Sequence, residues 1–483
     1  MNFISPGFAL FLSIVFLLYW FVFKKTAQLQ NILLLVASFF FYAIFNWKLS
    51  GLLAFSILFN FYCGKLIEKT RERSLGKWWL ASGLIFNLGI LFYFKYFIFF
   101  SSVFPSNNAG PTPLQPENIL VPLGLSFYTF QLLGYLIDVY NEEINSSNDL
   151  LSFSSYVAYF PKIASGPIEP AKKFLPQVAV KRNFDYALAA DGMRQILWGL
   201  FTKIVVANNC ASFAQSVFEN HDQYPGSTLL LASFFYLFQV YCDFSGYSNI
   251  AIGISKLFGI RLSRNFNAPF FSTSIREYWQ KWHITLTNWM MKYVFTPLSF
   301  SLRHFKKAGT SISIIITFVA VGLWHGTEGN FIVFGLLHGL YFMPLMLFPK
   351  RNDESGWHKQ SFFFNMPRIC KMFGLFLVIM LTCIFFGSRS LTEALEFINK
   401  IFSRSVLSSI AWPPFTNVFK AFMTVLFIVI LLATEWMQRL QSHELQLDHI
   451  KSPYLRRSIY IAIILMISLF GSVMHINFLY SRF

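Results

Sequence analysis

The sequence predicts an all-α, polytopic membrane protein, and three observations carry that prediction. Only 13% of the 483 residues are charged, where a soluble chain carries about 25%. Hydrophobic residues make up 55% and the mean hydropathy is +0.51. The 61 Phe and 12 Trp suit a lipid-facing surface with aromatic belts at both interfaces. The 39 Lys+Arg against 22 Asp+Glu give a formal charge of +17. In a chain this apolar, basic cytoplasmic loops and anionic lipid headgroups account for the excess. Membrane lipids are therefore the expected partners, and nucleic acid is not.

A spanning helix takes about 20 mostly apolar residues. The first candidate, residues 6–23, runs apolar from Phe8 to Phe23 and stops at Lys24-Lys25. No basic segment precedes it and no small-residue cleavage site follows, so it reads as a retained helix rather than a signal peptide. Residues 30–46, 49–63 and 78–95 follow, then 119–137, an apolar helix punctuated by Gln131. Later candidates are 227–242, 309–324, 330–348, 370–387, 416–434 and 457–474. Residues 96–104, 187–207 and 245–260 stand open between spans, re-entrant segments and interfacial helices.

If the spans alternate, Lys24-Lys25 share one side with Lys65, Lys69, Arg71, Arg73 and Lys77, and with Lys172, Lys173, Lys181 and Arg182. Lys350-Arg351, Lys451, Arg456 and Arg457 rejoin that side, while the 101–118 loop, whose one charge is Glu117, faces the other. The positive-inside rule then places both termini outside the cytoplasm. No repeat, low-complexity tail or appended soluble domain is evident, so residues 1–483 read as a single membrane domain. The five cysteines are scattered without a C-x-x-C pair, so neither a disulfide framework nor a metal site is expected.

Ionisable residues at membrane depth are expensive, and function is the default reading for them. Asp138 and Asp243 sit in strongly apolar runs. FPKIASGPIEP, 160–170, is a proline-glycine turn whose backbone could not face lipid. In REYWQKWHITLTNWMMKY, 276–293, Trp279, Trp282, Leu286 and Tyr293 recur at helical spacing, with Glu277 and Lys281 paired i,i+4 on the other side. That pattern predicts an amphipathic helix at the membrane interface, with His283 at the edge of its aromatic face. His283 alone stands open between a satisfied structural histidine and a functional one. His325 follows Trp324 at the end of an apolar run, with Gly322, Gly326 and Gly329 around it, so a helix break and a close approach by ligand or backbone are expected. A neutral imidazole there suits proton abstraction from a hydroxyl or thiol. His338 reads as a packing residue.

Serine-hydrolase elbows and phosphate-binding loops are absent from the sequence. HELQLD, His443 to Asp448, has the His-x4-Asp spacing of glycerolipid acyltransferases but reads as a chance match in a polar loop. His221, His304, His358, His449 and His475 read as surface residues.

Five blocks occur in order: VPLGLSFYTFQLLGYLIDVY, YFPKIASGPIEPAKKFLPQ, YCDFSGYSNIAIGISKLFGIRLSRNFNAPF, SIREYWQKWHITLTNWMMKYVFTPL and GLWHG. Together they resemble the membrane-bound O-acyltransferase (MBOAT) family, and within it the bacterial alginate-acetylating branch. The resemblance is densest over 120–340, and the closing NFLYSRF also fits that branch. It implies a ring of about 11–13 helices around a central tunnel, with interfacial and re-entrant segments, in the bacterial inner membrane. It implies His325 of the W-H-G motif as the essential histidine and His283 as the second polar position. It implies acetyl-CoA as acyl donor with no tightly bound cofactor, a periplasmic acetyltransferase partner and an exopolysaccharide as final acceptor. On that reading His325 is general base or proton shuttle, and His283 orients or stabilises developing charge. Asp243, Trp282, Trp324, Ser165, Gly166 and Glu328 would shape the tunnel. Arg264 and Lys281, with Lys162, Lys172, Lys173 and Arg261, would attract CoA phosphates, although positive-inside topology predicts the same charges. One departure is Thr327-Glu328-Gly329-Asn330 after W-H-G, where a small residue and an aromatic are expected. Glu328, three residues past His325, is close enough on a helix to raise the histidine's pKa, and it stands open between that tuning role and a solvated loop charge.

Alternatives remain open at this level. D-alanyl transfer to teichoic acid or acetylation of peptidoglycan uses the same chemistry, and a neighbouring carrier-protein and ligase gene set would point to D-alanine. A proton-coupled transporter would also bury histidines, but no paired half-helices or inverted repeat are visible.

Overall fold

The computed structural model describes residues 3–72, 74–96, 121–347, 366–414 and 416–472, and among these every regular element is a helix. Nine of the described helices are long and apolar enough to cross a membrane, with Pro6–Val22 as a shorter apolar one. The protein is a multi-pass membrane protein. The 101–118 loop, Lys350-Arg351, His358, His475, NFLYSRF and residues 97–104 of one ambiguous segment lie outside the described residues.

Several expected boundaries move. Residues 30–46 and 49–63 are two halves of Ala27–Thr70, kinked at Asn46 (φ −161°, ψ 112°). Asn46 Oδ1 accepts from the Lys48 and Leu49 amides at 2.9 and 3.3 Å, so its side chain caps a new helix start. Residues 187–207 belong to the continuous stretch Tyr186–Glu219, and 245–260 continues 227–242 as one helix, Gly226–Leu257. The described part of 119–137 is the helix Leu125–Tyr140, entered through Gly124 at φ +66°. A Cβ at Gly124 would lie 1.8 Å from the Ile163 carbonyl oxygen, so only glycine fits.

Contacts divide the chain into two compact units. One is built from Met1–Gly199 and Tyr247–Arg264, the other from Leu200–Gly246 and Asn265–Leu479. In the first, two residues expected among exposed basic charges are buried instead. The Arg182 guanidinium donates to Tyr19 Oη and Asn31 Oδ1, both at 2.7 Å, and its backbone exchanges hydrogen bonds with the Gln30 amide. Lys162 is fully buried, donates to Gln131 Oε1, and stands 4.5 Å from the Tyr156 ring centre. Desolvation lowers its pKa, and Glu169 opposes that shift. Both cations hold this unit together and are not free to attract a soluble anion.

In the second unit, helices Lys306–His325 and Gly329–Leu340 cross through glycines. A Cβ at Gly322 would lie 2.2 Å from the Phe331 carbonyl oxygen, and one at Gly335 would lie 2.3 Å from that of Phe318. Close backbone approach of this kind packs helices where lipid offers no hydrophobic drive. A buried ion pair, Lys203 with Asp243, joins the Phe201–Ala207 segment to helix Gly226–Leu257.

Candidate active site

The 276–293 segment is not one amphipathic helix. Helix Ile275–Lys281 ends, His283 takes a left-handed conformation (φ 43°, ψ 54°), and helix Ile284–Met290 begins. Two backbone bonds hold the break open: Asn267 N–H to Lys281 O at 2.9 Å, and Ile284 N–H to Asn265 O at 2.8 Å. Aromatic periodicity continues through the break, which is why the sequence pattern hid it. A non-glycine residue in this region is strained and persists where its surroundings fix it.

Those surroundings also fix the proton on His283. Its Nδ1 lies 3.0 Å from Asn265 Oδ1, which takes the Thr285 hydroxyl at 3.0 Å and the Thr285 backbone N–H at 3.3 Å. A backbone N–H can only donate, so the Asn265 atom it faces is oxygen. His283 Nδ1 therefore carries the proton and Nε2 keeps its lone pair. The imidazole is buried, and desolvation pushes its pKa down to about 3. His283 is thus a neutral base with an acceptor nitrogen, held edge-on to Phe244 with ring centroids 4.6 Å apart.

His325 is the last residue of helix Lys306–His325, and Gly326 leaves it in extended conformation (φ −171°). Its ring packs edge-on against Trp324 at 4.6 Å and Phe386 at 4.9 Å. Trp324 also meets His283, with centroids 6.0 Å apart, so both buried histidines share one aromatic wall. Trp282 extends that wall through Phe266 at 5.2 Å and Tyr241 at 5.7 Å. The glycines around His325 serve helix crossing and chain reversal. A Cβ at Gly326 would strike the Phe331 ring at 2.2 Å.

The other expected site residues divide. Asp243 belongs to the same compact unit as the histidines, one residue before Phe244, but is occupied by Lys203. Glu328 is exposed at the start of helix Gly329–Leu340, beyond the break, so it is not a helical neighbour of His325. Lys281 keeps its pair with Glu277 at 2.9 Å. Burial and the charges of Arg368 and Arg439 lower the pKa of Lys281, opposed by Glu277. Ser165, Gly166 and Arg264 belong to the other unit, as do Lys162, Lys172, Lys173 and Arg261. A cleft of about 570 Å³ in that unit is lined by Asn145, Asp149, Lys172 and neighbours; of the residues expected at the site, Lys172 alone is among its lining.

Some polar residues escaped sequence reasoning. Asn265 and Thr285, which set the His283 tautomer, lie within the third and fourth blocks but carry no motif signal of their own. Lys203 lay within a segment left open. Two histidines read as surface or loop residues are buried: His221, 3.2 Å from Glu396, and His443 within HELQLD. His338 packs against Phe334 and Trp279, its Nδ1 without a hydrogen-bond partner among the described residues. Among the described residues no group of three or more His, Cys, Asp or Glu could hold a metal ion.

A family profile described as membrane-bound O-acyltransferase matches residues 141–388, which include both histidines. The chain is 33% identical to the peptidoglycan O-acetyltransferase of Helicobacter pylori, over 80% of this chain and 76% of that one. It is 34% identical to the probable alginate O-acetylase AlgI of Pseudomonas aeruginosa, over 65% of this chain and 60% of that one. The teichoic acid D-alanyltransferase of Bacillus subtilis is 28% identical, over 54% of this chain and 68% of that one. The motif order, the helical membrane architecture and these matches agree: the chain belongs to the membrane-bound O-acyltransferase family and is an acyltransferase.

Proposed function

We propose that this protein moves an acetyl group from cytoplasmic acetyl-CoA across the bacterial inner membrane for O-acetylation of an exported, alginate-like polysaccharide, with a periplasmic acetyltransferase partner completing the transfer. The observation that carries the reading is two buried histidines sharing the Trp324 ring, one of them locked as a neutral base. Family membership replaces the transporter reading.

In the reaction, an acceptor hydroxyl oxygen bonds to the acetyl carbon, the carbon–sulfur bond breaks, and the hydroxyl proton ends on the departing thiolate. His325 carries that proton. His283 offers a lone pair at Nε2 and no proton there, so it orients the attacking hydroxyl by accepting its hydrogen bond. That geometry suits orientation and not stabilisation of a developing oxyanion, which needs a donor. Lys281, near Arg368 and Arg439, supplies positive charge for the phosphates of CoA.

Acetylation of peptidoglycan is the second reading, favoured by the Helicobacter pylori relative, whose match extends over 80% of this chain. One experiment separates the two. A deletion strain is complemented with wild type or His325→Ala at matched membrane levels, and ester-linked acetyl is measured on exopolysaccharide and on peptidoglycan. Acetyl on exopolysaccharide, restored by wild type and reduced about 10²–10⁴-fold in the variant, supports the proposal. Acetyl restored only on peptidoglycan selects the second reading. Equal restoration by both proteins shows that His325 does not move the proton.

A further inference from the structure

The cleft of about 570 Å³ lies between the 144–149 stretch and helix Ala171–Ala179, and its size is that of a small-ligand pocket. Ile144, Leu175, Pro176 and Ala179 give it apolar walls. Its lining holds two charged residues of opposite sign, Asp149 from the loop and Lys172 from the helix. The hydrogen bonds around it set its depth in the membrane. Asn31 Nδ2 donates to Val178 O at 2.8 Å and to Ser152 Oγ at 3.4 Å, and Gln30 Nε2 donates to Arg182 O at 2.9 Å. Gln30 and Asn31 stand about 5 Å along helix Ala27–Thr70 from its start, just past exposed Lys24-Lys25. At the far end of that kinked helix, Glu68 accepts from Ser146 beside exposed Lys69. Headgroups fill a layer about 5–8 Å thick on each side of the hydrocarbon. Tied to both ends of Ala27–Thr70, the cleft falls within that layer on the basic face. Exposed Val180 and Phe184 then lead into the next span at Tyr186.

Asp149 is held in place by capping helix Leu150–Ala158. Its carboxylate accepts from the Leu151 and Ser152 amides at 3.0 and 3.1 Å and from the Ser152 hydroxyl. A carboxylate has about four acceptor sites, so one is left for a further donor. Lys172 is exposed, with no hydrogen-bond or ion-pair partner among the described residues. The neighbouring acids stand outside the cleft: Glu142 pairs with Arg71 at 3.0 Å, and neither it nor Glu143 is in the lining. One anion and one cation on apolar walls complement a zwitterion. A phosphatidylglycerol headgroup would meet Lys172 and be repelled by Asp149. The ammonium of phosphatidylcholine has the charge but no N–H for the open acceptor site. We propose that this cleft binds an ethanolamine phospholipid of the cytoplasmic leaflet, its phosphate on Lys172, its ammonium on Asp149 and its glycerol end against Ile144 and Leu175. The leaflet follows from the positive-inside rule. Lys172 then serves a membrane lipid and not the acyl donor, and the bound lipid bridges the loop and the helix.

The test is native mass spectrometry of the purified full-length protein. It is titrated in detergent with phosphatidylethanolamine, phosphatidylcholine or phosphatidylglycerol of identical acyl chains. Wild type is compared with Asp149→Asn and Lys172→Met. Asparagine caps a helix about as well as aspartate, so Asp149→Asn removes the charge and keeps the helix start. Wild type binds phosphatidylethanolamine about fivefold more tightly than either other lipid, the effect of one ion pair at a wet interface. Asp149→Asn loses that preference, and Lys172→Met weakens all three lipids by a similar factor. Glycerophosphoethanolamine, the same headgroup without chains, competes far more weakly than the intact lipid, because it buries no methylenes. A wild type that prefers phosphatidylglycerol, or binds all three alike, overturns the proposal. So does a preference for phosphatidylethanolamine that both variants keep, which places the lipid elsewhere on the protein. Competition by glycerophosphoethanolamine as strong as that of the lipid makes the occupant a soluble zwitterion and overturns the lipid assignment. If Asp149→Asn does not fold, Lys172→Met decides alone, and unchanged affinity in it overturns the proposal.

Discussion

At His283 the proton sits on Nδ1 because Asn265 Oδ1 accepts from it and from Thr285 together. The same burial that makes this arrangement rigid also keeps the ring uncharged, with a pKa of about 3, against roughly 6.5 in an unfolded chain. Between those two values the unfolded chain binds more protons than the folded one. Stability from this group is therefore complete above about pH 6.5 and is lost as the pH falls toward 3. A pH series of melting temperatures checks it: wild type loses more between about pH 7 and pH 5 than His283→Gln does, because the variant lacks the proton-binding site. Parallel losses would mean that the folded protein protonates His283 as readily as water does. Replacing Asn265 by Ala tests the tautomer separately. Freed from its acceptor, the ring places its proton on either nitrogen, and acyl transfer falls at least tenfold, up to the roughly 10²–10⁴ of removing the base itself. Neither residue's mutation should change the slope of activity with salt, since neither carries charge.

Helices in this chain are joined by polar contacts as well as apolar ones, and the Lys203–Asp243 pair is one instance. Both side chains are buried, so each charge depends on the other for solvation. Asp243→Ala strands the Lys203 ammonium and should cost about 3–5 kcal/mol, while Lys203→Met with Asp243→Leu should recover most of it. Thermal unfolding of the two purified variants decides, and a single variant as stable as wild type would show that water reaches the pair. This contact also marks what the sequence could and could not disclose. Asp243 was legible as an ion in an apolar run, but its partner lies 40 residues earlier in a segment whose hydropathy did not settle its structure. Spans such as 370–387 and 416–434 were legible because about 20 apolar residues in water-poor surroundings have few other options. The break at His283 was not, because Trp279, Trp282 and Leu286 keep a helical period across a residue whose backbone is left-handed. Lys162 and Arg182 were misplaced for a related reason. Positive charge near a span reads as a cytoplasmic loop, and nothing local announces that Gln131, Tyr19 and Asn31 will enclose it.

At the scale of the whole molecule, sidedness decides whether the chemistry can export anything. With Lys162 and Arg182 buried, the cations left to obey the positive-inside rule are exposed ones such as Lys24, Lys25, Lys172, Lys173 and Lys181. Arg303, Lys306 and Lys307 add an exposed basic group at the start of the span that ends in His325, and the next span returns from Gly329. Each cation near a span end on the cytoplasmic face is favoured by about 1 kcal/mol from anionic lipid, so this hairpin has a strong preferred direction. The positive-inside rule predicts that its basic start lies in the cytoplasm and that the turn carrying exposed Glu328, three residues past His325, opens on the opposite face. An acyl group delivered to His325 would then meet acceptors outside the cell's interior. Single cysteines test the direction. Cys370 is the exposed native cysteine among the described residues and is first replaced by Ser, while Cys63, Cys210, Cys242 and Cys383 are buried. In that background Glu328→Cys should react with a membrane-impermeant maleimide on intact spheroplasts, and Lys307→Cys only after permeabilisation. The reverse pattern would put the W-H-G turn in the cytoplasm, leave both termini there by the same alternation, and remove the route by which this chain would acetylate an exported polymer.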